Sequence, residues 1–279
     1  MTSEPTRAWE EDVIFVTGYA RTGTTLMQGL ICTSEDVMRT TAESKFLRGL
    51  LDNYVRGLIV WDSHTCDYFT DRDAYRGFTR QILDLYLRHL RTHFATDKRL
   101  LQKAVDFAPR IPAVAELLPN AKFVVMVRDP RAVIASQAVR LGKTGQQIDP
   151  RREVEEFVSL YALLMRSRSE LAGRLAIVRY EHLVTQVDAT MGQVGSFLSI
   201  RLPANLGSLE WESKRVKAAA TASPLDGRPV SAASLTRYRQ ALAPRVLDLL
   251  EHERHASERR IGMSVFYDEG GPNGPAVLL

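Results

Sequence analysis

The chain is poor in cysteine and has no long apolar run. Its two cysteines, Cys32 and Cys66, show no paired spacing, so we expect neither a disulfide framework nor a cysteine metal site. A reducing compartment is the natural location of such a chain. No apolar stretch approaches the length of a membrane-spanning helix, and the polar, acidic residues 1–12 do not resemble a signal peptide. These absences predict a cytoplasmic protein without membrane contact.

Charge and composition narrow the classes further. A formal net charge of +4 is too small a basic excess to indicate nucleic-acid binding, although it suits an anionic small ligand. With 279 residues, 45% of them hydrophobic, the chain can bury a sizeable core. We expect one domain over residues 1–267 and a disordered tail over the Gly/Pro-rich residues 268–279.

Apolar runs alternate with helical patterns along the chain. The runs that look like buried parallel strands are residues 13–16, 99–103, 122–127 and 175–178. The segments with helical spacing are residues 73–94, 112–118, 130–140, 153–171, 187–198 and 234–254. Residues 218–233 look like a mobile loop. This alternation predicts an α/β fold of three layers, with a central, mostly parallel sheet flanked by helices.

A glycine-bounded loop follows the first predicted strand. Residues 18–25 read Gly-Tyr-Ala-Arg-Thr-Gly-Thr-Thr, which matches the G-x-x-x-x-G spacing of a P-loop between a strand and a helix. The lysine that a nucleoside triphosphatase carries after the second glycine is Thr24 here, and Arg21 supplies a positive charge earlier in the loop. The sequence therefore predicts a P-loop-type fold that binds a phosphate-like group other than the γ-phosphate of ATP.

A second cationic segment ends the third predicted strand. Arg128 stands at the carboxyl end of that strand, where open α/β sheets bind ligands, and Pro130 is suited to open the next helix. Ser136 and Arg140 are four residues apart on that helix, so one face can carry both. An isolated Arg-Asp pair would more often be a strand-end salt bridge, but the phosphate loop upstream favours a second phosphate site.

Five segments resemble the sulfotransferases that use 3′-phosphoadenosine 5′-phosphosulfate (PAPS), and most of all the branch of carbohydrate and tyrosylprotein sulfotransferases with its bacterial relatives. Residues 21–27 resemble the family's 5′-phosphosulfate loop, and residues 127–136 resemble its 3′-phosphate element. Residues 102–122 resemble its run from a lysine to the 3′-phosphate strand. Residues 178–183 resemble its R-Y-E-D-L segment with His in place of Asp, and residues 228–239 resemble its late cofactor loop. The likeness extends over residues 13–250.

The resemblance implies a set of cofactor contacts. The P-loop would hold the 5′-phosphosulfate, Arg128 and its helix would hold the 3′-phosphate, and Tyr180 with the loop 223–231 would surround the adenosine. Arg228 and Arg237 stand where the family usually has lysines, so their hydrogen-bond geometry would differ. The full implied set is Ala20, Arg21, Thr22, Gly23, Thr24, Thr25, Arg128, Ser136, Arg140, Tyr180, Ser223, Arg228, Pro229, Val230 and Arg237.

The resemblance also implies the catalytic residues, which are Arg21, Glu43, Lys103 and Ser223. Arg21 would contact the bridging region of the phosphosulfate, and Lys103 would approach the transferring group from its strand end. Glu43 would be the general base that takes the proton of the acceptor. No metal is implied, since the leaving group is a single phosphate that fixed cations can stabilise.

The identity of the base stays open at the level of sequence. Glu43 lies where the related branch has a glutamate, but Glu35 and Asp36 lie shortly upstream. An acid near a helix start is also commonly a partner of the helix dipole alone. His64 is the competing base, as in the cytosolic aryl and steroid sulfotransferases.

The implied reaction is transfer of a sulfuryl group from PAPS to a hydroxyl, or less readily an amine, of a small-molecule acceptor in a bacterial cytoplasm. The aromatic-rich residues 46–78 are the predicted acceptor pocket, and a homodimer is left open. One alternative is a P-loop small-molecule kinase, which would need the missing lysine and an Asp for Mg²⁺. The other is a catalytically silent nucleotide-binding protein, which would tolerate the loss of Glu43 and Lys103.

Overall fold

The computed structural model describes residues 13–38, 43–105, 107–143, 145–208, 229–267 and 276–279. A five-stranded sheet in the order β2-β1-β3-β4-β5 lies at its centre. The strands are β1 (Val13–Gly18), β2 (Leu100–Lys103), β3 (Lys122–Val127), β4 (Leu175–Arg179) and β5 (Val277–Leu278). The first four strands are parallel, and β5 is antiparallel to β4. The predicted mostly parallel α/β fold is confirmed.

Helices cover this sheet. In the described part of the chain they are α1 (Thr24–Ile31), α2 (Lys45–Ile59), α3 (Arg72–Phe94), α4 (Ile111–Leu117), α5 (Pro130–Gly142), α6 (Pro150–Arg166), α7 (Tyr180–Thr185), α8 (Val187–Leu198), α9 (Tyr238–Ala241), α10 (Pro244–His252) and α11 (Arg254–Ile261). Short 3₁₀ turns are Trp61–Ser63, Thr65–Asp67, Ala108–Arg110, Ser169–Leu171, Leu206–Ser208 and Ala232–Ser234. Within these described helices, none combines the length and the apolar content that crossing a membrane requires.

Both faces of the sheet are buried, because successive side chains of a strand point to opposite sides. In β1, Phe15 packs into one helical layer, and Ile14 and Val16 pack into the other. The Phe15 ring stacks on those of Phe107 and Phe123, with centroids 5.3 and 5.5 Å apart. A strand covered on both sides needs apolar residues at every position, which is why these strands read as continuous apolar runs.

Two helical regions differ from the sequence prediction. The single helix predicted over residues 234–254 is wrong, because α9, α10 and α11 replace it. Pro244 begins α10, and its ring favours an extended conformation at the preceding Ala243. This extended residue prevents α9 and α10 from forming one continuous helix. The sequence reading missed α2, although its buried Leu47, Leu51 and Tyr54 recur at helical spacing.

The end of the chain also differs from the prediction. β5 pairs with β4, and the backbone N–H of Arg179 donates to the carbonyl oxygen of Ala276 at 3.1 Å. The expected disordered tail, residues 268–279, is therefore wrong for residues 276–279, because Ala276 and Val277 pack into the core. Residues 268–275 lie outside the described part of the chain, and the predicted loop 218–233 is described only from residue 229.

The sheet order creates a crevice between β1 and β3. These strands are neighbours, with Gly18 in register with Met126. The helix that follows β1 packs on one face of the sheet, and the helix that follows β3 packs on the other. Where neighbouring strands lead to opposite faces, their carboxyl ends leave an open crevice, which is the usual ligand site of open α/β sheets.

Tyr161 of α6 joins the two strand ends that border this crevice. Its hydroxyl donates to the carbonyl oxygen of Met126 and accepts the backbone N–H of Tyr19 at 3.2 Å. Both backbone groups are buried, so the hydroxyl satisfies polar groups that water does not reach.

We expect Tyr161→Phe to lower the free energy of unfolding by about 1–3 kcal/mol, because it leaves a buried donor and a buried acceptor without this partner. Urea denaturation measures the change. The matched control is Tyr68→Phe, since the Tyr68 side chain is 82% exposed. Equal stabilities of the two variants would contradict the bridging role of Tyr161.

Candidate functional site

The loop between β1 and α1 is compact and strained. A Cβ atom at Gly18 would come within 2.5 Å of the carbonyl oxygen of Met126, so only glycine fits this approach. Arg21 has φ of 71°, a left-handed conformation that costs a non-glycine residue about 1 kcal/mol or more. The Thr22 hydroxyl donates to the carbonyl oxygen of Tyr19 at 2.7 Å and closes the turn. This hydroxyl therefore serves the loop itself.

The first turn of α1 directly follows the loop. Gly23 is its N-cap, with φ of 96°. Thr24 is buried, Thr25 is exposed, and Ala20 in the loop is half-buried. The first amides of a helix have no acceptor within the helix, and the helix dipole makes this end positive. Loop and helix together therefore form a setting in which backbone N–H groups can receive an anion.

The ring of Tyr180 joins this loop to the end of β3. A Cβ atom at Gly23 would lie 2.5 Å from the ring, so the loop backbone rests directly on it. The guanidinium of Arg128 lies 4.1 Å from the centroid of the same ring. Arg128 also donates to the carbonyl oxygens of Arg21 and Ser234, at 3.2 and 3.1 Å. The Tyr180 and Ser234 hydroxyls are hydrogen-bonded at 2.8 Å.

Three arginines gather around this contact. The Nε of Arg21 donates to the Ser136 hydroxyl at 2.9 Å. Partial burial lowers the pKa of the Arg21 guanidinium, and the like charges of Arg140 and Arg128 lower this pKa further. The Arg128 side chain is buried, and its Nε has no hydrogen-bond partner among the described residues. A bound anion would relieve this repulsion.

Asp129 supports the scaffold of the site. It caps α5 by accepting the backbone N–H of Arg131 at 2.8 Å, and it pairs with the Arg131 guanidinium at 2.7 Å. Its carboxylate also accepts the N–H of Tyr267 at 2.8 Å, and its own N–H donates to Glu181 at 2.9 Å. A buried carboxylate held by these donors is not available as the Mg²⁺ ligand that a kinase would need.

Lys103 links the first turn of α1 to the candidate base Glu43. Its ammonium lies 2.8 Å from a carboxylate oxygen of Glu43 and donates to the Thr25 hydroxyl at 3.3 Å. The Lys103 side chain is 14% exposed and that of Glu43 is 39% exposed, so the pair is reachable from solvent. The structure thus brings a cation and a potential proton acceptor together beside Thr25, where the loop meets α1.

The competing bases are placed less favourably. His64 is exposed, and its Nδ1 lies 2.8 Å from the Ser63 hydroxyl. Asp36 accepts the backbone N–H of Arg201 at 2.8 Å and pairs with its guanidinium. The contacts of the described residues join neither side chain to Lys103. Geometry therefore favours Glu43 over these two.

The late loop is described only from Pro229 onward. Ser223 and Arg228 lie outside the described residues, so their roles stay predictions. Pro229 is exposed, and Val230 is half-buried against the core cluster that includes the apolar residues of α1. Arg237 is exposed at the start of α9, and the described contacts do not connect it with the arginine cluster. The cofactor contact of Arg237 therefore stays a prediction.

Two residues that contact the site were missed by the sequence reading. Ser234 accepts from Arg128, but nothing in its local sequence distinguishes it from other loop serines. Glu181 lies in a segment that resembles the family, and an acid directly after an apolar strand is the signal that could have identified it.

Among the described residues, no three His, Cys, Asp or Glu side chains are arranged to hold a metal ion.

Comparison with known proteins agrees with this geometry. Residues 12–204 match the model of the Sulfotransferase family. The "Putative protein-tyrosine sulfotransferase" of Caenorhabditis briggsae is 26% identical over 198 residues, which cover 68% of this chain and 66% of that protein. The chain thus spans slightly less than two thirds of the length of this relative.

Solved structures share the fold. The sulfotransferase domain of the Synechococcus PCC 7002 olefin synthase is 18% identical with a TM-score of 0.54, over 90% of this chain and 98% of that one. Mouse sulfotransferase SULT7A1, complexed with PAP, is 11% identical with a TM-score of 0.50, over 89% of this chain and 84% of that one. At these identities the likeness concerns the fold alone.

We expect Gly23→Ala to weaken both stability and anion binding, because the new methyl group would collide with the Tyr180 ring. Gly262→Ala is the matched control, since Gly262 also has a positive φ, of 83°, but open space around its Cβ position. The control should lose about 1 kcal/mol of unfolding free energy from backbone strain, and Gly23→Ala should lose at least twice as much. Thermal denaturation compares the two, and equal losses would refute the close contact between loop and ring.

Proposed function

The chain belongs to the sulfotransferase family, and on this premise we propose that it transfers a sulfuryl group from PAPS to a hydroxyl group of a small acceptor. The observation that carries the proposal is the meeting, at the crevice between β1 and β3, of a P-loop without the Walker lysine and a cluster of arginines to which its own Arg21 belongs. Such a site offers two anion positions, one on backbone amides and one on guanidinium groups.

The two anion positions suit the two ends of the cofactor. The amides of the loop and of the first turn of α1 would hold the 5′-phosphosulfate. Arg128, Ser136 and Arg140 would hold the 3′-phosphate, with Tyr180 and the late loop beside the adenosine. The mouse neighbour complexed with PAP supports this choice of nucleotide.

The proposed reaction is an in-line transfer at sulfur. Glu43 removes the proton of the acceptor hydroxyl while the oxygen of that hydroxyl attacks the sulfur. The bond between sulfur and the bridging phosphate oxygen breaks, and adenosine 3′,5′-bisphosphate leaves with that electron pair. Lys103 and Arg21 neutralise the charge that develops on the transferring and leaving oxygens.

The acceptor is proposed only as a class. The relative from Caenorhabditis briggsae is named for protein tyrosine, so phenols are the first acceptors to test, followed by aliphatic alcohols and amines. The kinase alternative is disfavoured, because Asp129 is held by Arg131 and by backbone donors.

Ligand preference tests the proposed cofactor. Thermal stability is followed while the protein is titrated with adenosine 3′,5′-bisphosphate and, separately, with ATP·Mg²⁺. We expect stabilisation by the bisphosphate at lower concentration, because the site offers a second anion position. Stronger stabilisation by ATP·Mg²⁺, or stabilisation that does not depend on the 3′-phosphate, would contradict the proposal.

Arg128→Ala should remove the preference for adenosine 3′,5′-bisphosphate over AMP. Loss of a buried charge-assisted contact should weaken bisphosphate binding by about tenfold or more, with a smaller effect on AMP. Calorimetric titration of both nucleotides measures the two affinities. Arg201→Ala, which removes an equal charge from a side chain that is 88% exposed, should leave the preference intact. An unchanged preference in Arg128→Ala would refute its role at the 3′-phosphate.

Glu43→Gln should lower turnover by about a hundredfold or more, because the amide cannot accept the proton. Bisphosphate affinity should stay near the wild-type value, since the proposed phosphate contacts do not include Glu43. Single-turnover assays with labelled PAPS and a phenol give the rate, and His64→Ala is the matched control. Full activity in Glu43→Gln with loss of activity in His64→Ala would transfer the role of base to His64.

A further inference from the structure

Behind the arginine cluster lies a buried carboxyl group that the proposed reaction does not use. Glu181 stands in the first turn of α7 and is 3% exposed. One of its carboxylate oxygens accepts the backbone N–H of Asp129 at 2.9 Å. This amide belongs to the junction between β3 and α5, one residue after Arg128. Glu181 therefore holds the backbone from which the Arg128 side chain extends.

Several charged groups face Glu181. The pKa of Glu181 is raised to about 7, chiefly by burial and in part by the negative charge of Asp129, while backbone hydrogen bonds and the charge of Arg128 act in the opposite direction. Arg179, at the end of β4, also interacts with the Glu181 charge. His182 follows on the same helix and is buried. The acid thus lies among groups of both signs, close to the cation that the proposed function assigns to the 3′-phosphate.

We propose that Glu181 is a positioning residue for anion binding at Arg128, and that its ionisation makes this binding depend on pH. The inference rests on the proposed function, since the anion concerned is the 3′-phosphate of the nucleotide. The hydrogen bond to Asp129 fixes the start of α5, and the neighbouring negative charge opposes an anion at Arg128 whenever Glu181 is ionised.

The direction of the effect follows from linkage. A bound phosphate adds negative charge near Glu181 and so favours its protonated form. At a pH near the pKa of Glu181, phosphate binding must therefore be accompanied by proton uptake. Because linkage is reciprocal, the protein with ionised Glu181 binds the phosphate less tightly than the protein with protonated Glu181. Affinity should therefore fall as pH rises through the pKa of Glu181. The phosphate itself, with a second pKa of about 6, is already ionised above pH 7 and does not contribute in this range.

The test measures the affinity for adenosine 3′,5′-bisphosphate between pH 7 and pH 8.5 by calorimetric titration. In the wild type we expect a fall of about threefold to tenfold over this range. Glu181→Gln keeps an oxygen that can accept the Asp129 N–H but lacks the charge, so its affinity should stay flat. Glu170→Gln, at an exposed glutamate, and His182→Gln should both retain the fall. A constant affinity in the wild type, or the same fall in Glu181→Gln, would overturn the proposal.

The positioning part has its own test. Glu181→Ala removes the acceptor of the Asp129 N–H, and we expect it to weaken bisphosphate binding by about tenfold at pH 7, with AMP affected less. Glu181→Gln should restore the affinity, because it restores the acceptor. Equal affinities of the alanine and glutamine variants would refute the positioning role.

Failure of this inference is distinguishable from failure of the proposed function. A wild-type protein that binds the bisphosphate with an affinity independent of pH keeps the proposed function and loses the pH dependence assigned to Glu181. A wild-type protein that does not bind the bisphosphate at any pH loses both. The wild-type measurement alone decides between these outcomes, even where a variant does not fold. Titration at pH 7.5 in two buffers of different ionisation enthalpy adds a second readout, since proton uptake should appear in the wild type and be absent from Glu181→Gln.

Discussion

The parallel pairing of β1 with β3 is the constraint on which the candidate site depends. It places Gly18 beside Met126 at a distance that excludes any side chain, so the loop after β1 starts against the end of β3. Because α1 and α5 then pack on opposite faces of the sheet, the two loops open a crevice between them. The amides of one loop and the guanidinium of Arg128 reach this crevice only because these strands are neighbours.

Charges of both signs surround that crevice. The like charges of Arg128 and Arg140 act on Arg21, whereas Asp129 and Glu181 are buried and joined by a hydrogen bond from the Asp129 N–H to the Glu181 carboxylate. Asp129 also pairs with the Arg131 guanidinium and accepts backbone N–H groups. The two carboxylates therefore order the backbone, and none of their described hydrogen bonds goes to the side chains of Arg21, Arg128 or Arg140.

Much of this architecture follows from local sequence. The strands are apolar at successive positions because both faces of the sheet are buried, so residues 13–16, 122–127 and 175–178 could be recognised without a structure. The spacing of the glycines in residues 18–25 fixed the loop, and the resemblance to a family brought Arg128 and Lys103 into the same site. The ion pair between Lys103 and Glu43 joins two of the residues that the resemblance implied. In contrast, the contact of Arg128 with Ser234 joins residues 106 positions apart, and no periodicity encodes such a pairing. The strand β5 was missed for a related reason, since its short apolar run follows a Gly/Pro-rich segment and only β4 gives it a partner.

The left-handed backbone of Arg21 has a consequence for the evolution of this fold. Glycine at this position would relax the backbone and remove a charge that its neighbours repel. Under the proposed function, the residue that would make the unliganded protein more stable is also the one that would weaken nucleotide binding. In that case laboratory selection for heat resistance alone would favour glycine here at the expense of binding, whereas selection in the presence of the nucleotide would keep the arginine.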